Sequence, residues 1–482
     1  MTTFRSVNPA HPDDVVGEFP AHGPGDVDEA VARAAAAQQA WARRPVPARA
    51  DVIAAAATVL AGAKARLTDL VAREAGKILV EAGGDVQEAV DMAAFVAGQG
   101  RTAWGETIPS ELGDKLCWTT RQPVGVVGLI TPWNFPVAIP AWKVFPALLA
   151  GNGVVIKPSE HAPACAEAFV AACVEAGVPA DLLQVVHGYA EPAAALATHA
   201  GVGAVSFTGS VPTGRQVAAR AMETGPRLVS LELGGKNAMV VRPDADLDLA
   251  TDGAVFGAFG TAGQRCTSTS RLIVHPDVAG DLVERIAKRV AGLRLGDPRD
   301  PATDVGPVIT ATSAERIGGL VAGAVGEGAT AVTGGDPVSV DGCGGAFFAP
   351  TVLTGVRPDH HVARHEVFGP VLAVIEVADL DEAIGVVNAV EYGLSAAVYT
   401  RDIGAALAAV DRIDTGIVYV NAPTIGAEIP LPFGGTKHTG NGFREAGTRG
   451  IEQFSQLKTV YVDYSGRLQK AQIDTHPLEE DR

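Results

Sequence analysis

Between residues 124 and 210 a short apolar run ends four times in polar or small residues: VGVVGLITPWNFP (124–136), GNGVVIKPSE (151–160), LLQVVHG (182–188) and AVSFTGS (204–210). Helical stretches at 136–150, 163–176 and about 211–223 follow the first, second and fourth of these runs. Continuous apolar strands alternating with helices predict a parallel sheet covered by helices on both faces. Ligands of such sheets bind outside the carboxyl ends of the strands. Trp133–Asn134, Lys157–Glu160 and Thr208–Ser210 all fall there. Upstream, residues 26–43 read as an amphipathic helix capped by Asp26, and 47–76 as further helix. A second alternating block runs from about 236 to 435, with strands at RLIVH (271–275) and GIVYVN (416–421). The Gly/Pro-rich 334–345 and GTRG (447–450) read as surface loops, and KLCWTTRQP (115–123) and QLKTVYVDY (456–464) as isolated β-prone arms. The last residues, THPLEEDR, read as a solvated tail.

Bulk properties narrow the partners. A chain of 482 residues suggests two to four domains. The net charge of −17 argues against nucleic acid or an anionic membrane, both of which repel an anion. It does not exclude a phosphorylated cofactor, which backbone amides bind whatever the net charge. No apolar run approaches the roughly 18 residues of a membrane span, and MTTFRSVNPAHPDD lacks a secretory pattern. The five cysteines, at 117, 165, 173, 266 and 343, show no CxxC or metal spacing. They fit a reducing cytoplasm, with Cys165 and Cys173 packing inside a helix.

Chemistry-bearing stretches follow. There is no GxGxxG, so the usual dinucleotide fingerprint is missing. SFTGSVPTG (206–214) places Gly209 and Ser210 where a helix begins, either to hold a phosphate or as a plain tight turn. Lys157 and Glu160 could bond ribose hydroxyls, or lie in a solvated loop. Glu232, between apolar residues in SLELGGKN, is either a base of raised pKa or an exposed strand-end acid. Cys266, in GTAGQRCTSTS, is a nucleophile or a packed thiol; small neighbours leave room for a substrate carbon.

Taken together, PWNFP, KPSE, FTGS, ELGGKN, GQRC and EVFGP (366–370) stand in an order and spacing that resemble the aldehyde dehydrogenase superfamily. The resemblance runs from VNPA to FSQLKTVYVDY, and GTAGQRCT and PTIGAEIPLPFGGTKHTGNGFREAG look like the aminoadipic-semialdehyde and ketoglutaric-semialdehyde branches. It implies an α/β fold: a variant Rossmann-like cofactor domain (1–104 and 124–235), an α/β catalytic domain (236–435), β oligomerisation arms (105–123 and 455–465) and a tail (466–482). It implies Cys266 as the nucleophile that forms a thiohemiacetal and then a thioester. Asn134 and the Cys266 N–H would be the oxyanion donors and Glu232 the base for deacylation. Lys143 and Glu445 would be a proton relay, although a structural ion pair explains them equally well. For NAD, with NADP the lesser alternative because Glu160 repels a 2′-phosphate, it implies contacts from Thr131, Pro132, Trp133, Lys157, Ser159, Glu160, Gly188, Phe207, Thr208, Gly209, Ser210, Gly214, Leu233, Gly234, Glu366 and Phe368. Phe135 and Phe433 would line an apolar funnel. Arg265 would pair with a substrate carboxylate or bond nearby carbonyls structurally, and Glu88 would read a substrate amine. No metal is implied. The expected enzyme is a cytoplasmic homodimer or homotetramer that converts an aldehyde, either a carboxylate-bearing semialdehyde or an aliphatic one, to the free acid. A CoA-acylating dehydrogenase is disfavoured by Glu232. A non-redox cysteine hydrolase or thioesterase would leave the nucleotide contacts idle and has no histidine placed to activate Cys266.

Overall fold

The computed structural model describes residues 2–102, 104–223 and 228–473. A five-stranded parallel sheet has the spatial order Leu183–Val185, Gly153–Pro158, Val126–Thr131, Val202–Thr208, Leu228–Glu232. Its central strands are buried at every position, as strands covered on both faces must be. Side-chain alternation divides them between two cores. Val127, Leu129, Val154 and Ile156 pack into one, and Val126, Ile130, Val155 and Phe207 into the other.

The second sheet has seven strands: Thr330–Thr333, Thr351–Thr354, Val371–Glu376, Arg271–Val274, Ala238–Val241, Ser395–Tyr399 and Ile417–Val420. Only the Thr330–Thr333 edge is antiparallel. It too separates two cores, with Val240 and Ile273 on one face and Met239 and Leu272 on the other. The α/β fold with parallel sheets is thus the one the alternation predicts.

The β-prone arms pair with each other. Ser455–Asp463 runs antiparallel to Lys115–Pro123 in unbroken register, and Thr107–Ile108 adds a third strand. Residues 474–482 of the expected tail lie outside the described residues.

Several local expectations need correction. The first helix is Pro24–Arg43, and Gly23 rather than Asp26 is its N-cap. Pro24, with its fixed φ, starts the helix earlier, and the Asp26 carboxylate accepts from the Gly23 N–H at 2.8 Å. The stretch 47–76 is two helices, Val46–Gly62 and Lys64–Ala75, bent by 71°. The Gly/Pro-rich 334–345 is no plain loop: Pro337–Val340 and Cys343–Phe348 form a hairpin around Asp341–Gly342, where Gly342 takes φ +76°. GTRG leads into a short helix, Arg449–Glu452, and Gly450 is buried. The N-terminal hairpin, Thr3–Asn8 with His11–Pro20, carried no strong signal because its second strand is half exposed and broken by bulges. No single helix among the described residues is long and apolar enough to cross a membrane.

Candidate active site

Cys266 follows the helix Leu247–Phe259 and a tight turn, Gly260–Gly263. Thr261, Ala262 and Gly263 take φ of +54°, +51° and +68° in succession. A β-branched residue there is an outlier, and such positions cost about 1–3 kcal/mol each. Glycine is required at 263, because a Cβ would stand 2.1 Å from the Gly369 carbonyl. Bonds on both sides hold the turn. The Thr261 N–H donates to Glu81 Oε1 at 2.7 Å, and Arg265 Nε donates to Thr261 Oγ1 at 2.9 Å. Gln264 Nε2 donates to the Thr261 and Pro307 carbonyls, and its Oε1 accepts from the Ile309 N–H at 2.9 Å.

Burial and the carboxylates of Glu366, Glu232 and Glu445 push the Cys266 thiol up, against a weaker stabilisation from the Thr267 amide. The sulfur therefore rests protonated and needs a base. Glu232 ends the strand Leu228–Glu232, so the sheet itself aims it outward. Both of its carboxylate oxygens are buried without a hydrogen-bond partner among the described residues. Burial and Glu445 push its carboxyl well above the usual range, which makes its ionised form a strong base.

Asn134 sits just past the strand Val126–Thr131, and its Nδ2 donates to the Gln264 carbonyl at 3.0 Å. The amide is thereby tied to the turn bearing Cys266, and one N–H remains for a ligand. Lys143 and Glu445 form a fully buried ion pair, and Lys143 Nζ also donates to Ser206 Oγ at 2.7 Å. Glu445 is held by two 2.7 Å backbone bonds with Phe433.

Cys266, Glu232, Asn134 and Glu445 all line one cavity of about 580 Å³. Pro132, Trp133, Gly209, Ser210, Glu366 and Phe368 line it as well. Trp133 meets Phe368 edge-on at 5.7 Å, and Phe368 has φ +48°. Glu366 Oε1 accepts from the Gly235 N–H at 3.1 Å, and burial pushes its carboxyl up to about 7. The glycines clear the way: a Cβ on Gly234 would meet Glu366 Oε2 at 2.2 Å, and one on Gly214 would meet Leu233 at 2.4 Å. Gly209 and Ser210 precede the helix Val211–Glu223 and line the cavity with Val211 and Pro212, so the helix begins at its wall. Thr208, Leu233 and Gly234 complete this wall.

Other expected contacts lie elsewhere. Lys157, Ser159, Glu160 and Gly188 stand at or beyond the carboxyl ends of the adjacent strands, outside the cavity lining. Lys157 Nζ approaches Glu160 Oε2 at 3.6 Å. Thr131 and Phe207 are buried within their strands. An acid for ribose hydroxyls, helix amides for phosphate and glycine-cleared backbone are what a dinucleotide needs, and these residues fit one.

Phe135, Phe433 and Arg265 line the cavity near Cys266. Lys77 Nζ lies 3.4 Å from the Phe135 ring centroid, and Trp142 meets Phe433 edge-on at 5.0 Å. Arg265 is partly committed: its Nη2 pairs with Glu81 Oε1 at 3.3 Å and its Nε with Thr261, while Nη1 has no partner among the described residues. Glu88 also faces the cavity, and burial and Asp85 push it up to about 7. Sequence reasoning missed Trp142, Arg316, His365 and Tyr392, which line the same space. Only His365, beside EVFGP, had a nearby motif to mark it. Among the described residues no group of three or more His, Cys, Asp or Glu could hold a metal.

The pattern of the aldehyde dehydrogenase family matches residues 1–460. The chain is 40% identical over 470 residues to an alpha-ketoglutarate semialdehyde dehydrogenase of Haloferax volcanii, covering 96% of each chain. It is 42% identical over 467 residues to a 3,6-anhydro-alpha-L-galactose dehydrogenase of Streptomyces coelicolor, covering 96% of this chain and 94% of that one. Among solved structures, an NAD-dependent aldehyde dehydrogenase from Sinorhizobium meliloti superposes with a TM-score of 0.94 at 37% identity, covering 97% of this chain and 93% of that one. Matched over nearly its whole length by the family pattern and by these relatives, the chain belongs to the aldehyde dehydrogenase family and is an NAD-dependent aldehyde dehydrogenase.

Proposed function

We propose that the chain oxidises a carboxylate-bearing semialdehyde to the free diacid, with Cys266 as nucleophile. The observation that carries this is the single cavity joining Cys266, Asn134 and Glu232 to Glu366 and Phe368. Glu232, buried with unpartnered oxygens, takes the thiol proton. The sulfur adds to the aldehyde carbon, and negative charge develops on the former carbonyl oxygen. The free N–H of Asn134 and the Cys266 N–H meet that charge. Glu366, Phe368, Trp133 and the Gly209–Ser210 turn would hold NAD, with Lys157 and Glu160 as further contacts, and when bound it would supply the two-electron acceptor. The acyl group rests on Cys266 as a thioester. Glu232 then activates water for its hydrolysis, and the buried Lys143–Glu445 pair takes up the proton.

Arg265, with its Nη1 free, gives the funnel a fork for the distal carboxylate, and the ketoglutarate semialdehyde dehydrogenase among its relatives acts on such a compound. We assign 1–104 with 124–235 to a cofactor domain, 236–435 to a catalytic domain, and 105–123 with 455–465 to β arms, a division supported by the two separate large sheets and the three-stranded sheet of the arms. We assign a homodimer or homotetramer joined through these arms, working in the cytoplasm.

The test is a panel of semialdehydes and neutral aldehydes assayed for NADH, with Cys266→Ala alongside. We expect the carboxylate-bearing members to give the highest kcat/KM, and Cys266→Ala to lose turnover while binding NADH. Steady turnover by Cys266→Ala defeats the mechanism, and preference for neutral aldehydes defeats the substrate class.

A further inference from the structure

We propose that Glu81 is a positioning residue that sets the attack geometry of Cys266, an inference that rests on reading Cys266 as the nucleophile. Glu81 lies in the first turn of the helix Leu79–Gln99, its side chain only 8% exposed. It does not line the cavity, so it touches neither substrate nor cofactor. What it touches is the turn before the nucleophile. One oxygen, Oε1, accepts from the Thr261 N–H at 2.7 Å and pairs with Arg265 Nη2 at 3.3 Å. Arg265 Nε returns to Thr261 Oγ1 at 2.9 Å. The closed ring of Glu81, Thr261 and Arg265 ends one residue short of Cys266.

The turn needs such a clamp. Thr261 and Ala262 stand in a left-handed conformation that neither residue favours, and backbone of this kind persists only where surrounding contacts over-determine it. Gln264 secures the far side through Thr261, Pro307 and Ile309. Glu81 is the clamp on the near side.

The same helix also reaches the other oxyanion donor. Asp85 Oδ1 accepts from the Ala138 N–H at 2.7 Å, at the start of the helix Ala138–Ala150 that follows the Asn134 loop. Asp85 Oδ2 is in turn paired with Lys77 Nζ at 3.1 Å. One helix, packed against Ala138–Ala150, thus holds the Cys266 turn through Glu81 and, through Asp85, the start of the helix that follows the Asn134 loop. The cysteine amide and the asparagine side chain converge on one developing charge, so their alignment is what this helix controls.

The experiment compares Glu81→Asp and Glu81→Gln with wild type in kcat, NAD KM and melting temperature. Aspartate keeps the charge but is one methylene too short to reach Thr261 and Arg265 together. Glutamine keeps the reach and the acceptor for the Thr261 N–H. We expect Glu81→Asp to lose about 10²-fold in kcat, with NAD KM and melting temperature unchanged. Glu81→Gln should stay within about threefold of wild type in kcat, since its carbonyl keeps the bond from the Thr261 N–H that holds the turn. Wild-type kcat in Glu81→Asp overturns the proposal. So does a kcat loss that tracks a falling melting temperature in both variants, which marks Glu81 as a structural residue only. Where Glu81→Asp fails to fold, a 10²-fold loss in a folded Glu81→Gln also overturns it. Absence of aldehyde-dependent NADH formation by the wild-type enzyme is a separate failure, that of the activity itself.

Discussion

At the scale of single residues, three carboxyls that face the cavity, Glu232, Glu366 and Glu88, keep their protons to higher pH than exposed ones do. Glu232 is raised by burial and by Glu445, so replacing it changes proton handling more than shape. Glu232→Gln should still give a first burst of NADH, slowed because the Cys266 thiol loses its base but complete, since water can take the proton in its place. Steady-state turnover should then fall by about 10²–10⁴-fold, the usual contribution of a general base. Stopped-flow measurement of burst against steady rate checks this, and loss of the burst together with turnover speaks against deacylation as the step affected. Glu88 yields a pH prediction. With its carboxyl at about 7, it is neutral below that pH and negative above it. KM for a carboxylate-bearing aldehyde should therefore rise as pH climbs through 7, while KM for a neutral aldehyde stays flat. Glu88→Gln should remove the difference. Much of this level was legible in the sequence, because Asn134 and Glu232 stand at strand ends and Cys266 in a distinctive small-residue stretch. Trp142, Arg316 and Tyr392 did not, since they reach the cavity from elements whose local pattern shows only a helix or a short strand.

Elements account for how those residues are aimed and held. The helix Leu79–Gln99 carries a fully buried pair, Lys77 with Asp85, at its start. Asp85→Asn should leave the Lys77 ammonium buried without a counter-charge and destabilise the chain by about 3–5 kcal/mol. Urea unfolding monitored by circular dichroism measures this, and a shift of less than 1 kcal/mol would remove the reason for the pair. The arms give a second prediction. Leu457 and Tyr461 lie four residues apart on one face of Ser455–Asp463, 60% and 66% exposed. Changing both to lysine should reduce the oligomer to a smaller species in light scattering, with little effect on secondary structure; an unchanged mass counts against assembly through the arms. The alternation of strand and helix was readable because a buried parallel strand is apolar at every position. The hairpin at 337–348 and the N-terminal hairpin were not, since half-exposed strands rich in glycine and proline resemble loops to any local pattern.

On the scale of the whole molecule, two separate parallel sheets meet at one cavity. The first contributes Asn134, Glu232 and the Gly209–Ser210 turn, and the second, with its flanking helices, contributes Cys266, Glu366 and Phe368. No local stretch of sequence encodes that meeting. It follows from packing, and only motif order over the entire chain pointed to it. The surroundings of Cys266 carry a further consequence. A sulfur kept protonated by burial and three neighbouring acids is a poor target for peroxide, because oxidants attack the anion. The idle enzyme should therefore lose its thiol to peroxide more slowly than an exposed thiolate would.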